Sequence, residues 1–363
     1  MLGLNDIFLY LESHFGDGNT IIEPDLELKK PSRDRILDLI QQQAPAVILT
    51  HRNPDGDAVG SSIALGLFLK KSGVPVDVII PNEVPDFLNW LPGSDLVRVF
   101  RQKPDACTKL IRYAKLIVCL DFNDPDRIGD IQELVAASGA FKVLIDHHED
   151  PVPFTDDVIS EPWRGSVGEM VYHFIEAFSA ENAIDHDMAT CLYVAIMTDT
   201  GNFRYGCSYP DIFHVTGELM RHGIDNDRIY AEVYDSYSEK RMRLMGYCMQ
   251  HKMVVIPEYH TAYIYLTREE LKRFDHQTGD TEGFVNIPFT IKGMRFTALF
   301  IEKKEHVKIS LRSKGDFAVN DFTEKHFNGG GHINAAGGEE YLSLQDTLQK
   351  FESLLPEYAD KLA

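Results

Sequence analysis

Short apolar segments in the first half of the chain each end at an acidic or histidine residue. A short apolar run, rich in β-branched side chains, is typical of a strand buried on both faces of a sheet. The segments, with the polar residue that follows each, are 46–50 with His51, 116–120 with Asp121 and 141–145 with Asp146. We therefore predict buried strands whose carboxyl ends carry polar side chains.

Helical patterns separate these strands. Apolar residues recur at helical spacing in 32–43, 58–71, 105–113 and 127–137, and a further short apolar segment, 76–80, predicts another strand. Strands that alternate with helices indicate an α/β fold with a mainly parallel sheet. In such sheets, ligands bind outside the carboxyl ends of the strands. The polar residues at these ends are therefore candidates for a functional site.

The pattern changes after residue 153. Five helices are predicted at 166–178, 187–197, 212–221, 227–234 and 239–252, and strands return at 261–266, 296–301 and 307–312. We predict two α/β domains, since 363 residues exceed the usual size of a single hydrophobic core. The first domain spans 1–237, including an N-terminal extension over 1–30. A linker helix spans 238–252, and a smaller α/β domain spans 253–363.

The net charge of −20 limits the classes of partner. Binding to long nucleic acid requires a basic surface, so we expect no long-duplex binding. A short oligonucleotide or a nucleotide could still bind to a local basic pocket and to metal ions. Part of the acidic excess is explained if a cluster of carboxylates binds a cation.

The cysteines and the N-terminus bear on the compartment. Five scattered cysteines without a Cys-x-x-Cys pair favour a reducing environment. Asp6 and Glu12 interrupt the N-terminal segment, which therefore lacks the pattern of a secretory signal. No apolar run approaches the roughly 20 residues of a membrane helix. We expect a cytoplasmic protein without a membrane partner; the sequence leaves open whether it is a homodimer.

The loop after the first strand has the composition of a metal-binding turn. In the segment 51–57, Pro54 and Gly56 favour a turn that lets His51, Asp55 and Asp57 face one space. Asp57 is also predicted to be the N-cap of the following helix. A structural turn followed by a helix cap is the alternative interpretation of this loop alone.

The other strand ends strengthen the metal interpretation. Asp121, the triplet Asp146-His147-His148, and Asp199 at the end of a predicted helix add further carboxylates and imidazoles. His147 and His148 should diverge as they leave the strand, so one is expected to bind metal and the other substrate. Carboxylate and imidazole ligands suit Mn²⁺ better than Ca²⁺, and the absence of thiolates argues against structural zinc. Two such ions support phosphoryl-ester hydrolysis.

The second domain offers candidate anion-binding groups. In the strand 307–312, alternate residues are apolar, which leaves Ser310 and Arg312 on the opposite face. The glycine-rich segment that contains Gly330 and Gly331 is predicted to be a flexible loop whose N–H groups bind an anion, with His332 beside it. Solvated side chains and an ordinary turn are the alternatives. Arg204, close to Asp199, is a further candidate for substrate binding.

Taken together, these motifs resemble those of the DHH phosphoesterase family. The resemblance covers about residues 35 to 345 and includes the glycine motif of the DHH-associated C-terminal domain. Its branch of nanoRNases and 3′-phosphoadenosine 5′-phosphate (pAp) phosphatases is the most similar. The motifs are His51-x-x-x-Asp55-x-Asp57, Asp121, Asp146-His147-His148, Asp199-Thr200-Gly201, and the glycine-rich segments 329–332 and 335–338.

The resemblance implies two Mn²⁺ ions, with Mg²⁺ as the alternative, and a role for each residue. His148 would contact the scissile phosphate, and Asp146 would orient the histidines. Ser310, Arg312 and His332 would bind the substrate's terminal phosphate or nucleotide. The implied ligands are His51, Asp55 and Asp121 for one ion, and Asp57, Asp121, His147 and Asp199 for the other.

The expected function is hydrolysis of short oligoribonucleotides or of pAp by a hydroxide that two metal ions activate. A RecJ-like single-strand exonuclease is an alternative, although the acidic charge argues against it. A pyrophosphatase is another, but it would not explain the glycine motif and the strand of Ser310 and Arg312. A soluble phosphodiesterase for cyclic di-AMP or its linear product also stays open. The alternative of another class is a non-catalytic nucleotide-binding protein.

Overall fold

The structure, a computed structural model, describes residues 28–178, 183–235, 237–277 and 279–362. The predicted N-terminal extension lies outside the described residues up to residue 27. The chain forms two compact units, the first ending at Ile229 and the second beginning at Tyr230. Each unit contains one six-stranded sheet.

The sheet of the first unit is parallel throughout. Its strand order is β3-β2-β1-β4-β5-β6, and every neighbouring pair is parallel. The strands are β1 (Ala46–Leu49), β2 (Val76–Ile80), β3 (Val97–Val99), β4 (Leu116–Leu120), β5 (Phe141–Asp146) and β6 (Asp157–Ser160). This confirms the predicted fold class. The pattern did not predict β3 and β6, because both are short edge strands that lack a continuous apolar run.

Helices flank this sheet and continue after it. In chain order they are α1 (Lys30–Gln41), α2 (Gly56–Lys71), α3 (Pro104–Tyr113), α4 (Ile131–Ala136), α5 (Val167–Phe178), α6 (His186–Asp199), α7 (Pro210–Arg221) and α8 (Asn226–Tyr234). Residues of α3 and α4 pack with β1, β4 and β5 into one buried apolar cluster. A Cβ atom at Gly56 would overlap the Thr198 side chain, so only glycine allows the start of α2 to lie against the end of α6. This close approach brings Asp57 and Asp199 to the same region of the unit.

The second unit has a mixed sheet in the order β11-β12-β10-β9-β8-β7. Neighbouring strands are antiparallel except for the parallel pair of β8 and β9. The strands are β7 (Met253–Ile256), β8 (Thr261–Leu266), β9 (Phe296–Glu302), β10 (Val307–Ser313), β11 (Asn328–His332) and β12 (Ala335–Glu340). The helices are α9 (Glu239–Tyr247), α10 (Arg268–Arg273), α11 (Val319–His326), α12 (Leu344–Leu354) and α13 (Ala359–Leu362).

The two faces of this second sheet are covered differently. One face packs phenylalanines of β9 against α11 and α12 in a large apolar core. On the other face, Leu244 of α9 and Cys248 just after it pack against β8 and β9. The segment predicted as a linker helix therefore contributes side chains to the core of the second unit. Among the described residues of that smaller core, no member comes from β10, β11 or β12.

Two further observations concern the whole of the described chain. The five cysteines all have free thiols, and all but Cys207 are buried. Nowhere in the described ranges does a helix combine the length and the apolar composition that crossing a membrane requires.

Candidate metal centre and anion-binding face

The candidate metal ligands lie where the strand order of the parallel sheet reverses. The chain passes from β1 outwards to β2 and β3, and then returns to place β4 on the other side of β1. The connections that leave β1 and β4 therefore diverge and open a crevice at their carboxyl ends. His51 follows β1 closely, and Asp121 comes directly after β4.

Asp121 is the centre of this group. It is buried and adopts a left-handed backbone conformation with φ of 65°. This conformation costs a residue other than glycine on the order of 1–3 kcal/mol, and such strain is concentrated at functional sites. Its Oδ2 lies 3.4 Å from His51 Nε2, and its Oδ1 lies 3.6 Å from His147 Nε2. One carboxylate thus faces two histidines through different oxygens.

Hydrogen bonds assign the tautomer of both histidines. His51 Nδ1 donates to the Arg52 carbonyl at 2.9 Å, and His147 Nδ1 donates to the Arg164 carbonyl at 3.0 Å. In a neutral imidazole, a proton on Nδ1 leaves the lone pair on Nε2, which is the nitrogen that faces Asp121 in each case. This is the arrangement of metal-binding histidines, whose second nitrogen donates to a carbonyl or carboxylate.

Three groups of potential ligand atoms among the described residues share Asp121, and within each group one atom from every residue lies within 4.8 Å of the others. Two of them consist of predicted metal ligands, namely His51, Asp55 and Asp121, and Asp57, Asp121 and His147. The third combines Asp121 with Asp146 and His148. Asp199 approaches the second group, since its Oδ2 lies 3.5 Å from His147 Nε2.

The predicted N-cap of α2 is wrong. The cap is Asp55, whose carboxylate accepts a hydrogen bond from the Ala58 N–H at 3.0 Å. Asp57 lies two residues further on, inside the first turn, where its side chain turns away from its own helix. The capping residue thus lies between Pro54 and Gly56, within the turn, and also belongs to a candidate ligand group.

Asp57 binds the start of a different helix, α5. Its Oδ1 accepts from Ser166 Oγ and from the Gly168 N–H, both at 2.9 Å, and its Oδ2 accepts from the Val167 N–H at 2.7 Å. A helix N-terminus favours a carboxylate through its unpaired N–H groups and its dipole. Burial, followed by the charge of Asp121, nevertheless raises the pKa of Asp57.

Protons on histidine balance the carboxylates when no ion is present. Burial lowers the pKa of His51, but the hydrogen bond and charge of Asp121 and the charge of Asp55 outweigh it and raise the pKa to about 9. Burial also lowers the pKa of His147, but the charges of Asp199 and Asp121 outweigh this effect and raise the pKa to about 10. The site therefore attracts positive charge, which divalent cations would supply in place of protons.

His148 takes a different direction from His147. Its Nδ1 donates to Asp146 Oδ1 at 2.7 Å, and its ring meets that of His147 edge-on with centroids 5.2 Å apart. Asp146 is fully buried at the end of β5. The observed contacts thus orient His148 through Asp146 and His147 through the Arg164 carbonyl.

The outer contacts of the site were missed by the sequence analysis. Every residue type has a backbone carbonyl, so the sequence could not indicate the contact that the Arg164 carbonyl makes. The N-terminus of α5 did carry a signal, because Ser166-x-x-Glu169 is the pattern of a helix start. The sequence analysis predicted a helix over 166–178, but it did not infer that the free N–H groups at its start would hold a carboxylate.

Arg204 lies in the loop after α6. Its side chain is exposed, with the guanidinium 5.1 Å from the centre of the Tyr205 ring. The three preceding residues, Gly201, Asn202 and Phe203, all have left-handed φ values between 57° and 62°. The loop that follows Asp199 is therefore tightly turned.

The predicted anion-binding residues of the second unit share one sheet face. His332, Ala335 and Arg312 are directly opposite one another across β11, β12 and β10. Gly330, Gly337 and Ser310 form the next row. Directly opposed residues of antiparallel strands point to the same face. The predicted alternation of β10 is confirmed, because Ile309 and Leu311 are buried on the other side.

The glycine-rich segment is a strand and not the predicted flexible loop. It forms β11, at the edge of the sheet, and pairs with β12. Glycine is needed because a Cβ at Gly329 would overlap the backbone of Gly337 and Gly338. The pattern could not show this pairing, since a strand made of glycines has no side-chain alternation.

Comparison with known proteins gives the family. Residues 45–196 match the DHH family, N-terminal domain, and residues 259–358 match the DHHA1 domain. A bifunctional oligoribonuclease and PAP phosphatase, NrnA, of Thermus thermophilus is 29% identical over 88% of this chain and 91% of its own length.

Two solved structures extend the comparison. An exopolyphosphatase-related protein from Bacteroides fragilis is 42% identical with a TM-score of 0.88, covering 92% of this chain and 99% of that one. RecJ of Thermus thermophilus, in complex with Mn²⁺, shares the fold with a TM-score of 0.54 at 14% identity, over 94% of this chain and 56% of its own. The chain therefore belongs to the DHH family of phosphoesterases, with an N-terminal DHH domain and a C-terminal DHHA1 domain.

Proposed function

We propose that this chain is a Mn²⁺-dependent phosphoesterase that hydrolyses short oligoribonucleotides and pAp. The observation that carries the proposal is Asp121, whose two oxygens face His51 and His147 at the reversal of strand order. The name of the Thermus relative supports the substrate class, and the RecJ complex supports the ion. Mg²⁺ is the alternative ion.

The residues present fit two divalent cations. Imidazole Nε2 atoms and carboxylate oxygens are ligands that Mn²⁺ accepts, and the left-handed Asp121 would bridge both ions. Asp199 would join the group of Asp57 and His147. When bound, such ions neutralise phosphate charge and activate water for in-line displacement.

His148, oriented by Asp146, would assist the departure of the leaving group. Hydrolysis forms a P–O bond to the oxygen of water and breaks the bond to a ribose oxygen, which then needs a proton. His148 Nδ1 donates to Asp146 Oδ1 at 2.7 Å, which fixes the ring and leaves Nε2 directed away from Asp146. We propose that Nε2 contacts the phosphate and, as a general acid, delivers the proton to the ribose oxygen.

The second unit would bind the rest of the substrate. Arg312 and His332 lie in one cross-strand row, with Ser310 in the next, so their donors can reach one anion from the same sheet face. An arginine–phosphate contact is charge-assisted and often bidentate. We assign hydrolysis to residues 1–237, phosphate or nucleotide binding to 253–363, and the connection to 238–252. Arg204 is a further candidate contact.

A substrate panel with Mn²⁺ tests the proposal. We expect pAp and dinucleotides to be hydrolysed fastest, longer RNA more slowly, and cyclic di-AMP and pyrophosphate least. Fastest turnover of pyrophosphate or cyclic di-AMP would contradict the substrate class, and processive degradation of long single strands would favour a RecJ-like exonuclease. Nucleotide binding without Mn²⁺ uptake or turnover would identify a non-catalytic protein.

A further inference from the structure

One segment of the first unit fixes two candidate ligands at once. Residues 161–168, which we call the anchoring segment, connect β6 to the start of α5. The carbonyl of Arg164 accepts from His147 Nδ1, and the three donors that hold Asp57 come from the end of the same segment. The orientations of His147 and Asp57 therefore depend on where this short segment lies.

The guanidinium of Arg164 ties the anchoring segment to its surroundings. The side chain is 5% exposed and contacts three carboxylates. Nε donates to Glu161, and Nη1 donates to Glu169 at 2.5 Å and to Asp211 of α7 at 2.7 Å. One cation thus joins the first residue of the segment, and the residue that directly follows the segment, to a separate helix.

A second layer of contacts completes the network. Asp211 Oδ2 also lies 2.8 Å from His173 Nε2. The Tyr209 hydroxyl donates to Glu169 and accepts from the Gly165 N–H, the latter at 2.8 Å. Tyr209 therefore links the backbone of the anchoring segment to the carboxylate that Arg164 contacts.

The cluster could in principle be a metal site of its own. Ligand atoms of Glu169, His173 and Asp211 lie close enough together to hold an ion. However, the Arg164 guanidinium already donates to Glu169 and Asp211 and places a positive charge between them. Carboxylate oxygens that accept charge-assisted hydrogen bonds from a guanidinium are less available to bind a metal ion. The cluster therefore has a structural function directed at its neighbours.

We propose that Arg164 is a positioning residue for the ion of Asp57, Asp121 and His147. By fixing the anchoring segment, it sets the tautomer of His147 and places both oxygens of Asp57. It has no such link to His51 and Asp55, the ligands confined to the other group. The inference rests on the proposed metal centre, and it requires that loss of Arg164 weakens one ion and spares the other.

Single-ion variants test this selectivity. In His51→Gln the better remaining site is that of Asp57, Asp121 and His147, and in His147→Gln it is the other. We expect Arg164→Lys, which keeps the charge but loses the planar fork, to raise the Mn²⁺ Kd at least tenfold in the His51→Gln background. In the His147→Gln background the Kd should change less than twofold. Calorimetric titration with Mn²⁺ measures both values without any need for turnover.

A milder variant covers the case in which Arg164→Lys does not fold. Tyr209→Phe removes only the hydroxyl that bonds Gly165 and Glu169, and should raise the same Kd about threefold in the His51→Gln background alone, as expected for one lost hydrogen bond. Tyr205→Phe, at an exposed tyrosine, is the matched control and should change neither Kd.

The outcomes separate this inference from the function beneath it. Equal weakening in both backgrounds would show a general loss of stability, and no weakening in either would show that the anchoring segment holds its place unaided; each overturns the inference. Two tightly bound ions in the wild-type protein would leave the proposed function intact in both cases. Failure of the wild-type protein to bind Mn²⁺ would overturn the proposed function as well.

Discussion

The two six-stranded sheets carry their candidate functional groups in different places. In the parallel sheet the groups follow the strands at their carboxyl ends, and most of them are buried. In the mixed sheet they lie within the strands, on a face where Ser310 and Arg312 are only partly buried. A buried charge needs fixed partners, which converging loops and helix ends provide, whereas an anion can be bound by donors on an open face. This difference supports our proposal that the first unit hydrolyses the substrate and the second unit binds it.

The largest effect is expected at Asp121. Asp121→Asn keeps the shape of the side chain and tolerates the left-handed backbone, but loses the negative charge that two ions would share. We expect hydrolysis of every substrate to fall by at least about a thousandfold, since metal-dependent activation of water is lost. Mn²⁺ stoichiometry should fall below two while the thermal unfolding midpoint is retained. Asp126→Ala, an exposed acid nearby, is the control; two tightly bound ions in Asp121→Asn would refute the bridging assignment.

A smaller and more selective effect is expected at Arg312. Losing a charge-assisted contact costs about 1.5–3 kcal/mol, so Arg312→Ala should lower kcat/KM on pAp and dinucleotides about tenfold to a hundredfold. A small generic phosphodiester, which has no second phosphate, should be affected much less. Both ions should remain bound.

The control for this variant lies on the same strand. Lys308→Ala removes an exposed cation from the same face of β10, opposite Glu339, and should change kcat/KM little. If Arg312→Ala slowed both kinds of substrate equally, or released metal, the division of labour between the two sheets would be wrong.

The close pairing of β11 and β12 predicts a stability effect confined to the second unit. A Cβ at Gly329 would overlap the backbone of the partner strand, so Gly329→Ala should destabilise that unit by about 1–3 kcal/mol. Gly217→Ala is the matched control, because it lies in α7 with open space around it and should stabilise by about 0.5–1 kcal/mol. Denaturant unfolding followed by amide exchange would assign each change to its unit. If the Gly329→Ala protein were as stable as the wild type, β11 and β12 would be able to move apart without a cost in stability.

The smallest effect is expected on the free energy of unfolding at acidic pH, and it arises from Glu270 in the second unit. Burial opposes a low pKa, but contacts with Lys252, Thr267 and Tyr247 outweigh it and lower the pKa of Glu270 from 4.5 to about 2. A lowered pKa contributes stability above pH 4.5, and this contribution is lost as the pH falls towards 2. We expect it to amount to about 1–2 kcal/mol after allowance for solvent screening.

Comparison of Glu270→Gln with the wild type at several pH values measures this contribution. The difference in free energy of unfolding should be greatest near pH 6 and should vanish near pH 2. Glu269→Gln, at an exposed neighbour, should show no such dependence. A difference that does not vary with pH would mean that the hydrogen bonds, and not the charge, stabilise this site.

The sequence predicted the parts of the molecule in which side-chain chemistry follows a periodic pattern. Apolar runs that end at an acid or a histidine located β1, β4 and β5, and the structure brings His51, Asp121 and His147 together. The same logic assigned the N-cap to Asp57, because a carboxylate before a helix usually binds that helix. It could not show that the start of α5 comes within reach of Asp57 instead, since that contact joins residues more than a hundred positions apart.

Periodic patterns of side chains could not predict the contacts of backbone groups or the structure of glycine-rich segments. The Arg164 carbonyl that holds His147 is present in any residue type, and β11 consists largely of residues without side chains. Short edge strands such as β3 have too few residues for a period to be recognised. Sequence analysis thus found the groups that perform chemistry more readily than the backbone that orients them.

The left-handed backbone at Asp121 also constrains how this chain can evolve. Asparagine and glycine, which tolerate that backbone better than other residues, are each one base change from an aspartate codon. Either replacement would remove the shared carboxylate and its charge while leaving the fold almost unstrained. A gene copy released from selection for catalysis could therefore pass in a single step to a stably folded protein that keeps the proposed anion-binding residues of the second unit. Conversion of this scaffold from an enzyme to a binding protein would then require little change in the rest of the molecule.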